Sequence, residues 1–296
     1  MTVAAPLYSR RFTRRYPGLI IILLDQSRSM LEEVRGQNCT KADFATTALN
    51  ELISALIDAA PYDDETGDRK KYAYLTVFGY SDDIYPLLTP NGAPIDVPFL
   101  AQHPRGVTSV IRDVLDSSTG QYRQIKEDRY FWIEPRTYNG TQMDKAFERA
   151  RDIVRGWLSG APEPGQAPRQ QCFPPLIIHI TDGEHNGQRD PVQISYEIRS
   201  EGTLQGPTLI FNCHFTTEMQ QPAIFPSGVQ EVAYLNKFAP QLFDMSSAIP
   251  EPLRTKAADV AGRPVPDGAR GFIYNGDTGA LVRFLNWGTI GTAVNR

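Results

Sequence analysis

The sequence has 296 residues, of which 41% are hydrophobic and 22% are charged, as is usual for a globular protein that buries its own core. Its formal net charge of −4, from 30 basic and 34 acidic residues, argues against a dominant surface for nucleic acid or anionic membrane. No apolar run has the length of a membrane span, and no secretory signal precedes the first apolar run, so we expect no membrane insertion.

Strands and a helix alternate in the first third of the chain. The run Gly18–Asp25 is continuously apolar up to its last residue, which is typical of a central parallel strand buried on both faces. Residues 41–60 have apolar side chains at helical spacing. A second strand is predicted at Tyr72–Tyr80, and Asp83–Thr89 is predicted to pair with it, with Pro86 indicating an edge position.

Residues 90–140 form the least regular part of the sequence. They contain clusters of proline, glycine and serine, a predicted helix at Val107–Leu115 and a predicted strand at Tyr130–Glu134. A segment of this length is too long for a plain connection within a compact domain. We therefore expect an insertion with its own structure or a functional surface.

The alternation continues in the second half of the chain. Apolar runs and spacing predict further extended segments at Leu176–Glu184, Thr208–Phe215 and Leu242–Ser246. Helices are predicted at residues 141–158, Pro191–Arg199, Val229–Phe238, Glu251–Val260 and Ala280–Gly288.

This order of elements predicts the α/β class, with a doubly wound and mostly parallel sheet, helices on both faces and one antiparallel edge strand. We expect a single domain over residues 1–296. Its core is expected at about 17–250, with an insertion at about 90–140 and a C-terminal extension at about 250–296.

Acidic and hydroxyl side chains follow two of the predicted strands. The first strand ends in Asp25, with Ser27 and Ser29 at alternate positions after it, and another strand ends at Thr181 just before Asp182. Thr141 opens a predicted helix in a third loop. Ligands of open α/β sheets bind at the carboxyl ends of the strands, where the strand order reverses. Oxygen ligands of this kind suit a hard divalent cation such as Mg²⁺.

Taken alone, Asp25 and the two serines would also suit a helix cap or a turn. The combination is more specific: a D-x-S-x-S motif, a later threonine that opens a helix and a strand that ends in T-D-G occur in this order. It resembles the metal-ion-dependent adhesion site of von Willebrand factor A domains. The segments DQSRSM, KADFATTALNEL, FPPLIIHITDGE and TLIFNCHF extend the resemblance over most of the chain, to a bacterial stand-alone (TerY-like) branch of these domains.

The resemblance implies a role for each residue of the motif. Ser27 and Ser29 would bind the metal directly, Asp25 and Asp182 would act largely through bound waters, and Thr141 would bind directly or through water. Mg²⁺ is the expected ion, with Mn²⁺ and Ca²⁺ as alternatives. A partner's Asp or Glu would complete the coordination.

Three neighbouring residues are candidates for contact with that partner: Arg28, Glu184 and His185. Arg28 stands where the family more often has a small residue, so its long cation is expected to affect metal affinity. His179 lies within a predicted strand and is expected to be a buried core histidine rather than a ligand.

The resemblance also implies a function and a setting. We expect a metal-dependent protein-binding adaptor, not an enzyme, in a bacterial signalling or stress-response system, with a protein kinase or PP2C-type phosphatase of the same gene cluster as partner. Neither nucleic acid nor membrane is expected as a partner. Three widely spaced cysteines without a disulfide or metal pattern favour reduced thiols and a cytoplasmic location.

Two other functions remain open at this point. One is a Mg²⁺-dependent phosphohydrolase with Asp25 as its nucleophile. Enzymes of that class have a second carboxylic acid two residues later as the general acid, and this chain has Ser27 there. The other is a scaffold that has lost metal binding, and the cation of Arg28 beside the predicted metal ligands is the feature that supports it.

Overall fold

The computed structural model describes residues 6–34, 38–115, 120–215, 222–275 and 283–287. Twelve strands are assigned in this part of the chain: β1 Gly18–Asp25, β2 Ala73–Tyr80, β3 Ile84–Pro86, β4 Ile95–Asp96, β5 Gly106–Leu115, β6 Tyr122–Phe131, β7 Leu176–Thr181, β8 Gly202–Thr203, β9 Gly206–Pro207, β10 Leu209–His214, β11 Ala223–Ile224 and β12 Phe272–Tyr274. The α-helices are α1 Lys41–Asp58, α2 Val97–Gln102, α3 Met143–Ser159, α4 Pro191–Ser200, α5 Ala239–Met245 and α6 Glu251–Ala261.

The main sheet has the order β11-β12-β10-β7-β1-β2-β3, and β4 also pairs with β2. The strands β2, β1, β7, β10 and β12 are parallel, which confirms the predicted doubly wound α/β class. Antiparallel strands lie at both ends of the sheet rather than at one: β3 and β4 beside β2, and β11 beside β12. Pro86 lies in β3 at one edge, as predicted.

Both faces of the sheet are covered because the central strands carry apolar side chains on both sides. In β1, Ile20, Ile22 and Leu24 pack in the cluster that includes α1, α2 and α6. Leu19 and its alternate neighbours in β1 face the cluster that includes α3, α4 and α5. All eight residues of β1 are buried, as expected for a central parallel strand.

The strand order reverses between β1 and β7. From β1 the chain builds outward through β2 and β3, and it then returns to place β7 on the other side of β1. The register pairs Leu24 with Ile180, so the residues after these two strands leave the same edge of the sheet side by side. This is the position at which doubly wound sheets bind ligands.

The insertion differs from the prediction. Val107–Leu115, predicted as a helix, belongs to strand β5, which forms an antiparallel hairpin with β6. Its many β-branched residues favour the extended conformation. The predicted strand Tyr130–Glu134 ends at Phe131, because the side chain of Asn50 accepts the backbone N–H groups of Trp132 and Ile133.

Two predictions near the C-terminus are also wrong. Val229–Phe238 contains only a short 3-10 turn at Val229–Glu231 instead of a helix. Leu242–Ser246, predicted as extended, lies mostly in helix α5. Its buried side chains Leu242 and Phe243 pack on the sheet, and a short apolar run does not distinguish a buried strand from a buried helix.

Of the predicted helix Ala280–Gly288, residues 283–287 are helical and the others lie outside the described residues. In the described part of the chain, we find no helix with the length and apolar character needed to cross a bilayer. The division into core, insertion and extension stays a prediction.

Candidate metal centre

Asp25 is the last residue of β1 and is 1% exposed. Its Oδ1 accepts the backbone N–H of Ser27 at 2.8 Å. Its Oδ2 accepts the hydroxyl of Thr181 at 2.8 Å, and the hydroxyl of Tyr80 lies 3.4 Å from the same oxygen. The carboxylate is therefore held in one orientation by groups from the loop after β1, from β2 and from β7.

Ser27 and Ser29 are brought together, as their alternate spacing predicts. Their hydroxyl oxygens are 3.0 Å apart. Ser27 is buried and Ser29 is partly exposed, at the start of a 3-10 turn over Arg28–Leu31. Met30 is fully buried in the core and anchors this turn, so the two hydroxyls are fixed beside the end of β1.

Asp182 follows β7 and is 8% exposed. One carboxylate oxygen, Oδ2, lies 3.4 Å from the ammonium of Lys41. The other, Oδ1, is buried and has no hydrogen-bond partner within the described part of the chain. Because a buried carboxylate oxygen without a partner is costly, this atom indicates a place for a further positive group.

Hydrogen bonds tie the Thr141 loop to the loops that follow β1 and β7. The backbone N–H of Tyr138 donates to the carbonyl of Gln26 at 2.7 Å. The backbone N–H of Thr141 donates to Oδ1 of Asn186 at 2.9 Å, and its carbonyl accepts the N–H of Asn186 at 3.0 Å. Thr141 is buried just ahead of α3. All five predicted ligands thus lie on three loops that are joined to one another at one edge of the sheet.

The electrostatics of the site disfavour two ionised acids. Burial, reinforced by the negative charge of Asp182, raises the pKa of Asp25 to about 7. The pKa of Tyr80 lies well above its usual value because the ring is buried and faces Asp25. A divalent cation placed between the two carboxylates would relieve their repulsion.

His179 is a core residue, as predicted. It is fully buried, and burial lowers the pKa of its imidazole to about 4. Its Nε2 lies 2.7 Å from the hydroxyl of Tyr80, and its Nδ1 lies 2.8 Å from Oδ1 of Asn212. Because both ring nitrogens are engaged by side chains, the imidazole orients Tyr80 and does not face the metal position.

The three candidate partner residues lie at the same edge but differ in setting. Arg28 is exposed and lines a groove of about 380 Å³ with Leu31, Asp82 and residues 137–139. Glu184 is exposed on the loop after β7. His185 is partly buried, and its Nε2 lies 3.0 Å from the carbonyl oxygen of Arg189.

Lys41, which none of the sequence motifs includes as a site residue, is 4% exposed and lies beside the site. Its ammonium is 2.7 Å from a carboxylate oxygen of Glu32 and 3.4 Å from Asp182. A sequence signal was present, since Lys41 is the first residue of α1, at the helix end where cations are disfavoured.

The donor set fits a hard cation and not a soft one. It consists of two carboxylates and three hydroxyls. Within the described residues, we find no cluster of three or more His, Cys, Asp or Glu side chains that could hold a metal in another way. Oxygen ligands of this type suit Mg²⁺, Mn²⁺ or Ca²⁺. The unpartnered oxygen of Asp182 and the raised pKa of Asp25 agree with a site that is completed by positive charge.

The solved structures similar to this chain include a von Willebrand factor type A protein, which bears the name of the family that the sequence motifs resemble. Proximal thread matrix protein 1 from the mussel byssus, with a zinc-occupied MIDAS motif, is 14% identical over 68% of this chain and 38% of that chain, with a TM-score of 0.38. BatB from Bacteroides thetaiotaomicron is 19% identical over 67% of this chain and 66% of that chain, with a TM-score of 0.36. A von Willebrand factor type A protein from Catenulispora acidiphila is 13% identical over 77% and 37% of the two chains, with a TM-score of 0.38.

The chain thus spans about two fifths of the mussel protein. No protein-family model and no curated protein matches the sequence. Because the identities and TM-scores are low, these similarities concern the fold alone.

Proposed function

We propose that this chain is a metal-dependent protein-binding module that holds a divalent cation at the end of β1 and β7. The observation that carries this proposal is the convergence of two buried carboxylates, Asp25 and Asp182, at the reversal of strand order, with one oxygen of Asp182 lacking a partner. The ion would add positive charge between these two acids, of which only Asp182 has a cation, Lys41, beside it within the described residues.

The remaining ligands would come from Ser27, Ser29 and Thr141, with the two carboxylates acting largely through water. Hydroxyl ligands are neutral, so the ion would keep a positive charge toward solvent. A carboxylate from a partner protein would complete the site, and this charge would attract it.

Arg28 would make the second contact with an acidic partner. It is exposed and lines the groove beside the site, together with Leu31 and Asp82. A guanidinium binds a carboxylate through two parallel hydrogen bonds, which adds orientation to the attraction by the metal. Glu184 and His185 are the further candidates for this surface.

The wider setting is also a proposal. Mg²⁺ is the proposed ion, and the partner would be a protein, such as a kinase or PP2C-type phosphatase in a bacterial signalling or stress-response system. This setting, with the TerY-like branch, is supported by the resemblance of the motifs alone. The three cysteines are widely spaced in the sequence and show no disulfide pattern, and two of them are buried, which supports a cytoplasmic location.

The structure of the site favours binding over phosphate hydrolysis by Asp25. The two oxygens of Asp25 already accept hydrogen bonds from Ser27 and Thr181, and the side chain is only 1% exposed, so neither oxygen is presented to a substrate. Ser27 has no acidic proton to give to a leaving group. We therefore propose a non-enzymatic role, and phosphomonoester turnover that requires both Mg²⁺ and Asp25 would contradict it.

The test is calorimetric titration of Mg²⁺ and Mn²⁺ into metal-stripped protein, compared with Ser29→Ala and Asp25→Asn. We expect one binding site that both variants lose, while the exposed control Asp64→Asn binds as the wild type does. Absence of binding at millimolar metal in the wild type would refute the metal site and leave the metal-independent scaffold.

A further inference from the structure

A buried lysine lies beside the site, within reach of one of its two acids. The side chain of Lys41 is 5% exposed, and its ammonium lies 2.7 Å from Glu32 and 3.4 Å from Asp182. The side chains of these two acids differ in burial, with Glu32 54% exposed and Asp182 5% exposed. The ammonium is therefore shared between a buried acid of the metal site and an acid that faces water.

The position of Lys41 in the helix makes this arrangement informative. It is the first residue of α1, where the free N–H groups give the helix a positive end. A buried ammonium at this end is unfavourable unless acids compensate it. Thr40 caps the helix with Asp43 in a reciprocal pair of hydrogen bonds, so the capping interactions do not use the lysine.

Backbone contacts also hold Glu32 in place as the second acid beside the ammonium of Lys41. The backbone N–H of Lys41 donates to the carbonyl of Glu32 at 2.9 Å. Glu33 and Thr40 form an isolated antiparallel bridge beside this hydrogen bond. These contacts hold residues 32–33 against residues 40–41, which keeps the carboxylate of Glu32 within reach of the ammonium.

We infer that Lys41 is a resident cation that limits the affinity of the site for a divalent ion, and that Glu32 draws it away from Asp182. The inference rests on the proposed function, since it assigns regulation to the same site. In the metal-free protein the ammonium neutralises Asp182. When a cation binds, the ammonium shifts toward Glu32, because two positive groups compete for one carboxylate.

The test compares three variants by calorimetric titration of Mg²⁺ at fixed ionic strength. Lys41→Met keeps the apolar length of the side chain and removes its charge, so we expect Mg²⁺ affinity to rise by at least about tenfold. Lys41→Arg keeps the charge and is expected to bind Mg²⁺ close to the wild-type affinity. Glu32→Gln leaves the ammonium with Asp182 alone, so we expect a lower affinity than in the wild type.

A second readout separates this role from a purely structural one. In EDTA, Lys41→Met is expected to have a lower midpoint of thermal unfolding than the wild type, because Asp182 loses its counter-charge. Adding Mg²⁺ should then raise the midpoint more in this variant than in the wild type. The exposed control Lys126→Met, on strand β6, also removes one positive charge from the protein and should show neither effect.

Two outcomes overturn the inference while leaving the proposed function intact. One is that Lys41→Met and Glu32→Gln both bind Mg²⁺ with the affinity of the wild type. The other is that both variants gain affinity or both lose it, because the inference requires a gain in Lys41→Met and a loss in Glu32→Gln. If neither the wild type nor Lys41→Met binds Mg²⁺, the proposed metal site itself fails. Should Lys41→Met not fold, Glu32→Gln is compared with Glu33→Gln, which removes the same charge at a neighbouring exposed residue, and equal losses of Mg²⁺ affinity in the two variants would overturn the inference.

Discussion

The hydroxyl of Thr181 donates a hydrogen bond of 2.8 Å to Oδ2 of Asp25, which joins the carboxyl ends of the neighbouring strands β7 and β1. The same hydroxyl oxygen accepts the backbone N–H of Gly183 at 2.9 Å. Thr181 is therefore the link through which the turn that carries Asp182 is positioned against Asp25.

Thr181→Val is expected to lower the free energy of unfolding by about 1–3 kcal/mol, because it leaves a buried carboxylate oxygen and a backbone N–H without this hydroxyl. Urea unfolding measures the change. Thr108→Val, at an exposed position of strand β5, is the matched control and is expected to stay within about 0.5 kcal/mol of the wild type. Equal stability of the two variants would show that the link is unimportant.

Asp25→Asn is expected to stabilise the metal-free protein at pH 8. The pKa of Asp25 is about 7 in the folded protein against 3.8 for the free side chain, so the folded state binds more protons between these values. Stability is therefore lost as the pH rises through this range, by up to about 4 kcal/mol. Chemical unfolding in EDTA at pH 8 measures the gain in the variant, and a loss of stability there would contradict the charge repulsion at the site.

The wild-type protein is expected to lose stability on acidification below pH 6.5. Burial lowers the pKa of His179 to about 4 and that of His214 to about 3. Between these values and 6.5 the unfolded chain binds more protons at both residues, so unfolding becomes more favourable as the pH falls.

Asp25 acts in the opposite direction over part of this range, because the folded protein takes up a proton there. The decline between pH 6.5 and pH 4.5 should therefore be steeper in Asp25→Asn than in the wild type. Unfolding curves at several pH values in EDTA measure both slopes, and parallel slopes would show that Asp25 ionises normally.

Gly183→Ala is expected to lower the free energy of unfolding by more than about 2 kcal/mol. Gly183 has φ of +96°, and a Cβ atom there would lie 2.7 Å from the Cβ of Phe238. Gly262 also has a positive φ, of +64°, but a Cβ atom there would have no neighbour within 4 Å. Gly262→Ala is thus the matched control, with an expected cost of about 1 kcal/mol. Equal costs would exclude the steric contact as a cause.

Local sequence patterns were sufficient for the elements of the sheet core. The runs ending at Asp25 and Thr181 are almost continuously apolar and rich in β-branched isoleucine, a composition that favours buried parallel strands. The patterns failed where contacts distant in sequence decide the structure. Strand β5 is extended because it pairs with β6, and α5 is helical because Leu242 and Phe243 pack on the sheet.

The sequence alone determined which groups the site contains. D-x-S-x-S and T-D-G each place their side chains at the end of a strand, and this follows from the alternation of side chains and the length of the apolar runs. Tertiary structure alone decided how these groups interact. It places β7 beside β1, so that burial and the charge of Asp182 raise the pKa of Asp25, and it brings Lys41 from the first turn of α1 to Asp182. Charges interact through space at distances of a few ångströms, whereas 140 residues of chain separate Lys41 from Asp182, so no local pattern contains this contact.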